Sequence, residues 1–356
     1  MKSTWKIASA FTGIIVGAGL ASGQEILQYF TSFGLLGILG AIVTTALFAY
    51  TGMMLVYLGS RSQTNSHKDV IYKISGKYLG TVIDYVLIFT TFGVGVVMIA
   101  GAGANLNQQF GVPHVVGTIL MTIIVLLVGM LKVNRVVAAI SSVTPFLILF
   151  VIIVSVYSFL TMDSSFAALN DTATSFDTTL PNWFISAINY VSFNISVGAA
   201  MAIVMGGDEK NRKVAATGGL LGGLILGVII MMNHLAIFAK IEEAGQYEMP
   251  MLGIVNNISP VLGTIFAIVL FGMIFNTAIS MFYSFSARFV EVETKSFKIF
   301  LTVTMIAGFL LSFVGFTDLV AYFYPLIGYL GLVLIGVLIV TPFRMKKITA
   351  LKERDN

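Results

Sequence analysis

Gly13-Ile14-Ile15-Val16-Gly17-Ala18-Gly19-Leu20-Ala21-Ser22-Gly23-Gln24-Glu25 is the stretch on which the fold turns. It sits in the middle of an apolar run that covers about residues 5–30 and places four glycines within eleven residues. Each glycine costs about 1 kcal/mol in a helix interior relative to alanine, so the cluster needs a reason. One reading is close helix packing in lipid, because Gly13/Gly17 and Gly19/Gly23 both make GxxxG pairs. The other is a helix unwound near mid-membrane, where freed carbonyls and amides face a ligand instead of lipid. Polar Ser22, Gln24 and Glu25 directly after the glycines favour the second. The spacing is GxGxxxG with no strand before it, which dismisses a dinucleotide fingerprint.

Composition sets the frame around this stretch. Of 356 residues, 57% are hydrophobic and only 10% charged, against a usual charged share of about 25%. Mean hydropathy is +0.96. Too few polar groups are present to cover a soluble globule, which excludes a cytosolic enzyme, a nucleic-acid binder and a disordered chain. The 28 Phe, 35 Gly and 17 Met suit lipid-buried helices packed through small residues. The pI of about 9.1 reflects a net charge of only +4, so the placement of charge matters more than its total. With no cysteine, disulfides, Cys-ligated metals and thiol chemistry are excluded. His67, His114 and His234 lie far apart with no ligand spacing. Lys2 and Lys6 before an apolar run resemble a signal peptide, but the run continues past any cleavage point, so an uncleaved first helix is expected.

Apolar segments bounded by polar clusters predict ten spans, at about 5–30, 34–59, 81–106, 115–131, 136–161, 183–206, 214–239, 261–288, 297–316 and 319–341. With the N-terminus inside, every Lys and Arg except Lys240 falls on the cytoplasmic side, as the positive-inside rule requires. Both termini are then cytoplasmic, in a multi-pass protein of the plasma membrane. The expected organisation is a first five-helix repeat over 1–161, an extracellular loop over 162–182, a second repeat over 183–342 and a basic cytoplasmic tail over 343–356. Five spans per half force the second half to enter from the opposite side, which is the arithmetic of an inverted repeat in secondary transporters. Span six carries Asn189, Ser192, Asn194 and Ser196 within eight residues at membrane depth. Either these bond within and between helices, or they mark a second break matching the first, the sequence pointer to a central binding site.

Val16-Gly17-Ala18-Gly19, Ser192 through Gly198 and the 5+5 plan together resemble the LeuT-type fold of the amino acid–polyamine–organocation superfamily. More narrowly, Gly13-x-x-Val16-Gly17-Ala18-Gly19-x-Ala21-Ser22-Gly23-Gln24-Glu25 is similar to a small bacterial group of amino-acid permeases. The resemblance covers nearly the whole chain. It implies an all-α protein with helices one and six broken, and a substrate cradled at Gly17, Ala18, Gly19, Ser22, Ser192, Phe193 and Asn194. It also implies a sodium ion at the carbonyls of Gly13 and Val16 with Asn276 and Thr277 of span eight, Ser280 being the alternative. The family pattern has a hydroxyl where Asn276 stands. No lysine follows Arg135 in span five, where proton-coupled relatives carry one, which favours Na+ over H+.

Glu25 is the one carboxylate deep in the first half, and a buried ionisable group in a span is a functional candidate; a structural pairing with a polar neighbour is the alternative. Asp84 and Asp318 at span ends suit solvated capping, His234 suits hydrogen-bonded packing, and Tyr190, Phe193 and Phe275 could line an apolar pocket. Trp5 and Trp183 suit the membrane interface. The expected activity is symport of an amino acid or similar small zwitterion coupled to Na+ or H+, with no other cofactor and no nucleic acid. A channel would need a filter repeat, and a membrane enzyme clustered carboxylates or histidines; HExxH and Walker A motifs are missing.

Overall fold

The computed structural model describes residues 2–64, 66–131, 144–162 and 164–354, and every regular element among them is helical. Lys132 and Arg135, expected to open span five, lie outside the described residues. The α-helices of five or more residues are α1 Lys2–Ile15, α2 Ala18–Ser22, α3 Gln24–Tyr29, α4 Leu36–Ser62, α5 His67–Phe110, α6 His114–Gly129, α7 Thr144–Leu160, α8 Phe166–Thr174, α9 Trp183–Gly207, α10 Arg212–Ala239, α11 Pro250–Ile258, α12 Pro260–Phe289, α13 Lys295–Leu311 and α14 Tyr324–Arg354.

Seven of the helical segments among the described residues are long and apolar enough to cross a membrane, with shorter apolar helices at His114–Gly129 and Leu149–Leu160. The exposed surface has the same character. Ile119, Ile123 and Leu127 of α6, and Ile299, Val303, Ile306 and Leu310 of α13, form exposed stripes at helical spacing. In water such stripes would be a liability; against acyl chains they match their solvent.

Inside, α4 packs against α9 and α10, and α5 against α12. The α4–α10 contact is backbone on backbone. A methyl added at Gly52 would meet the Gly219 carbonyl oxygen and the Phe11 ring, while one added at Gly219 would meet the Gly52 carbonyl. Small residues thus set the interhelical distance, as expected where lipid removes the hydrophobic drive for helix association.

The first apolar run is broken, as the glycine cluster predicts. Helix α1 stops at Ile15, Gly17 is extended (φ −103°, ψ −179°), α2 has one turn and a half, and Gly23 takes φ +84° before α3 begins. The expected break in span six is absent: α9 runs unbroken through 25 residues. Its polar side chains are satisfied without opening the backbone. Asn194 Nδ2 donates to the Tyr190 carbonyl (3.0 Å) and Ser196 Oγ to the Ser192 carbonyl (2.9 Å), both one turn back. Ser192 Oγ donates across to the Gly328 carbonyl (2.6 Å), and Asn189 Nδ2 to the Pro325 carbonyl (3.0 Å) of α14. Glycines at 328 and 331 leave room for these groups. The irregular backbone falls instead before α14, where residues Leu319–Phe323 form a π-helical turn after Gly315 at φ +102°. The last helix continues to Arg354, so the expected tail begins as an extension of the final span.

Candidate functional site at the break in the first helix

In a continuous helix, the N–H groups of Gly17 and Leu20 would close on the carbonyls of Gly13 and Val16. Neither bond forms; the ladder resumes with Ala21 N–H to the Gly17 carbonyl at 3.2 Å. Two carbonyls are therefore released at a point where the bilayer offers no water to satisfy them. Span eight lies alongside. Helix α12 packs against α2, and a methyl added at Gly17 would stand 4.0 Å from Thr277 Oγ1. That hydroxyl donates to the Met273 carbonyl (3.0 Å), which leaves its lone pairs free to accept or to ligate. Ser280 Oγ donates in the same way to the Asn276 carbonyl (2.8 Å). Asn276, Thr277 and Ser280 are half-buried.

The second half of the break holds Glu25, which is 5% exposed. The turn at Gly23 folds α3 so that the Glu25 carboxylate lies against Gly19, filling the space that a side chain at 19 would need. Tyr190 Oη of α9 donates to Glu25 Oε2 at 3.0 Å. The Tyr190 ring contacts Tyr29 (centroids 5.0 Å apart), Phe30 (5.1 Å) and Phe193 (6.5 Å), and Phe193 stacks on Tyr324 at 4.1 Å. Ser22 Oγ is turned to the Gly19 carbonyl (2.8 Å). Helix α9 passes the end of α1 through Gly198, where a methyl would strike Ile15.

Gly13, Val16, Gly17, Ala18, Gly19, Glu25 and Thr277 therefore gather at the break, with Tyr190 and Phe193 bordering the Glu25 side. Ser192 does not join them; its hydroxyl is committed to α14. Because α9 is unbroken, Ser192, Phe193 and Asn194 have only side chains to offer, and Asn194 Nδ2 is already bonded to its own helix. Sequence reasoning missed Tyr29 and Tyr324. Tyr29 stands four residues after Glu25 on the same helical face, a signal that was available; its Oη donates to Asn189 Oδ1 (3.2 Å). Tyr324 follows the π-turn, a backbone feature with no sequence signature here.

The break is roofed by the segment between α10 and α12. Met251 of α11 and Ile237 of α10 sit on Gly23: a methyl there would come within 2.8 Å of Met251 Cγ and 2.9 Å of Ile237 Cδ1. Gln108 of α5 holds this roof by both main-chain groups of Met249, its Nε2 donating to the carbonyl (3.0 Å) and its Oε1 accepting from the N–H (2.9 Å). Further back along α5, Asp84 is paired with Arg288 of α12 and lies 3.7 Å from Lys68, so it is an interhelix tie and not a solvated cap. His234 Nδ1 shares a hydrogen bond with Thr31 Oγ1 (3.1 Å), in line with a packing role.

Solved structures share this architecture. The transporter MhsT, crystallised with L-phenylalanine, superposes with a TM-score of 0.62 at 17% identity, over 86% of this chain and 78% of its own. A manganese transporter of Eremococcus coleocola gives 0.57 at 15% identity, over 87% and 71%. The chain has the LeuT-type fold. In sequence it is similar to the uncharacterized membrane protein YkvI of Bacillus subtilis (28% identical over 337 residues, 95% of both chains). It is also similar to YyaD of the same organism (26% over 337 residues, 94% of this chain and 95% of the other). No family model matches.

Proposed function

We propose that the protein is a secondary active transporter that carries an amino acid or similar small zwitterion by symport with Na+ or H+. On this reading ten spans in a 5+5 inverted repeat place both termini in the cytoplasm, and the substrate sits at the break of the first helix. The observation that carries the reading is the pair of released carbonyls at Gly13 and Val16 beside the Thr277 hydroxyl. Neutral oxygen ligands around a helix gap suit a hard monovalent cation, and Asn276 would add a carbonyl oxygen from the same turn. Glu25 is the second ion-coupling candidate, as a carrier of a proton. MhsT was crystallised with an amino acid, which supports a zwitterion.

The test is uptake into liposomes at varied Na+. Thr277→Ala removes a ligand with little loss of volume and should raise the Na+ concentration for half-maximal uptake about tenfold, the equivalent of about 1.4 kcal/mol. Thr277→Ser should stay near the parent. Uptake that never depends on Na+, or a parental Na+ dependence in both variants, removes the sodium assignment.

A further inference from the structure

We propose that Glu25 is the anchor for the ammonium group of the carried molecule, so that the site first selects an organic amine. The inference rests on the reading of the break as the substrate site. Three observations support it. First, Glu25 Oε2 accepts one bond, from Tyr190 Oη, while Oε1 faces Gly19; among the described residues no donor reaches Oε1 and no Lys, Arg or His pairs with the carboxylate. An unpaired carboxylate taken out of water is among the costliest groups in a protein, and a bound cation relieves that cost.

Second, the surroundings are aromatic. Tyr190 hydrogen-bonds the carboxylate, its ring packs on Tyr29, Phe30 and Phe193, and Phe193 stacks on Tyr324. Tyr29, Tyr190 and Tyr324 are almost fully buried. Aromatic faces attract ammonium ions through the ring quadrupole and exclude water that would compete for them, so a carboxylate set among them favours a nitrogen cation with an apolar tail. Third, Glu25 reaches the break only because residue 19 has no side chain. The carboxylate is thereby held against the short helix α2, two residues from the extended Gly17. With no basic side chain paired to Glu25, an amine that lacks a carboxylate should bind as well as an amino acid does.

Three probes with one ring separate the charges: L-phenylalanine carries both, 2-phenylethylamine only the ammonium, and 3-phenylpropionate only the carboxylate. Thermal unfolding of the detergent-purified protein is followed against the concentration of each. Both amines should raise the midpoint and phenylpropionate should not, and Glu25→Gln should weaken both amines at least tenfold. Phenylpropionate binding as tightly as the amines, no shift with either amine, or Glu25→Gln binding them within threefold of the parent would each overturn the proposal. If Glu25→Gln does not fold, Glu25→Asp decides: a shorter carboxylate should weaken 2-phenylethylamine about tenfold, and unchanged affinity overturns the anchor. Gradient-driven uptake of L-phenylalanine is measured alongside. Amine binding that needs Glu25, without uptake, leaves the anchor standing and removes the transport reading. Uptake retained in Glu25→Gln removes the anchor and leaves transport standing.

Discussion

Gly19 carries no side chain, and the Glu25 carboxylate occupies the space one would fill. Gly19→Ala therefore cannot be a neutral exchange of one small residue for another, although alanine is the better helix former. The added methyl must displace the carboxylate from its contact with Tyr190. The expected outcome is a loss of about 1–3 kcal/mol of stability from overpacking together with a sharp fall in uptake, read by thermal unfolding and a liposome assay. Gly23 is a second such position. At φ +84° with Met251 and Ile237 against it, Gly23→Ala adds about 1–2 kcal/mol of left-handed strain to a steric clash, and its unfolding midpoint should fall below that of Gly111→Ala. Gly111 shares the left-handed conformation (φ +66°, ψ +14°) but has nothing within 4 Å, so that variant isolates the strain.

At the scale of single helices, two spans with similar polar content behave differently. Ser192→Ala should cost about 1 kcal/mol by removing the bond to the Gly328 carbonyl, and it should leave the Na+ dependence of uptake unchanged. If it shifts that dependence instead, Ser192 belongs to the site. The reason lies in how each sequence satisfies its backbone. In the first span the glycines offer no side chains to bond or pack, so the ladder opens, and this was legible from Gly13 to Gly23. In α9 the Asn and Ser groups bond one turn back or across to α14, so the ladder stays closed and the expected break does not occur. That choice depends on the glycines at 328 and 331, more than a hundred residues away, which no local pattern reveals. Glu25 was legible as an isolated carboxylate, whereas its position over Gly19 depends on the turn at Gly23. Asp84, read as a cap, needed Arg288 from α12 to become a tie.

For the whole molecule, the distribution of basic residues predicts which side each connection faces. The chain lacks cysteine, so single exposed positions report topology cleanly. Ser175→Cys should be labelled in intact cells by an impermeant maleimide, and Lys210→Cys only after the membrane is opened. The reverse pattern would invert the molecule, and labelling of both in intact cells would break the ten-span count. Where the chain does cross, Asp84 joins α5 to α12 near their expected cytoplasmic ends. Asp84→Asn should weaken that junction by about 1–3 kcal/mol, and Arg288→Gln added to it should cost little more, which a double-mutant cycle on thermal stability measures.

The two-point grip of Gln108 on Met249 fixes who moves against whom. Met251, two residues along, rests on Gly23, but the piece that carries it is fastened to α5. A door hung this way stays with its frame. Parting the contact at Gly23 while the grip holds means withdrawing the threshold beneath it, and the short pieces α2 and α3, jointed at the extended Gly17 and at the left-handed Gly23, are the parts free to tilt.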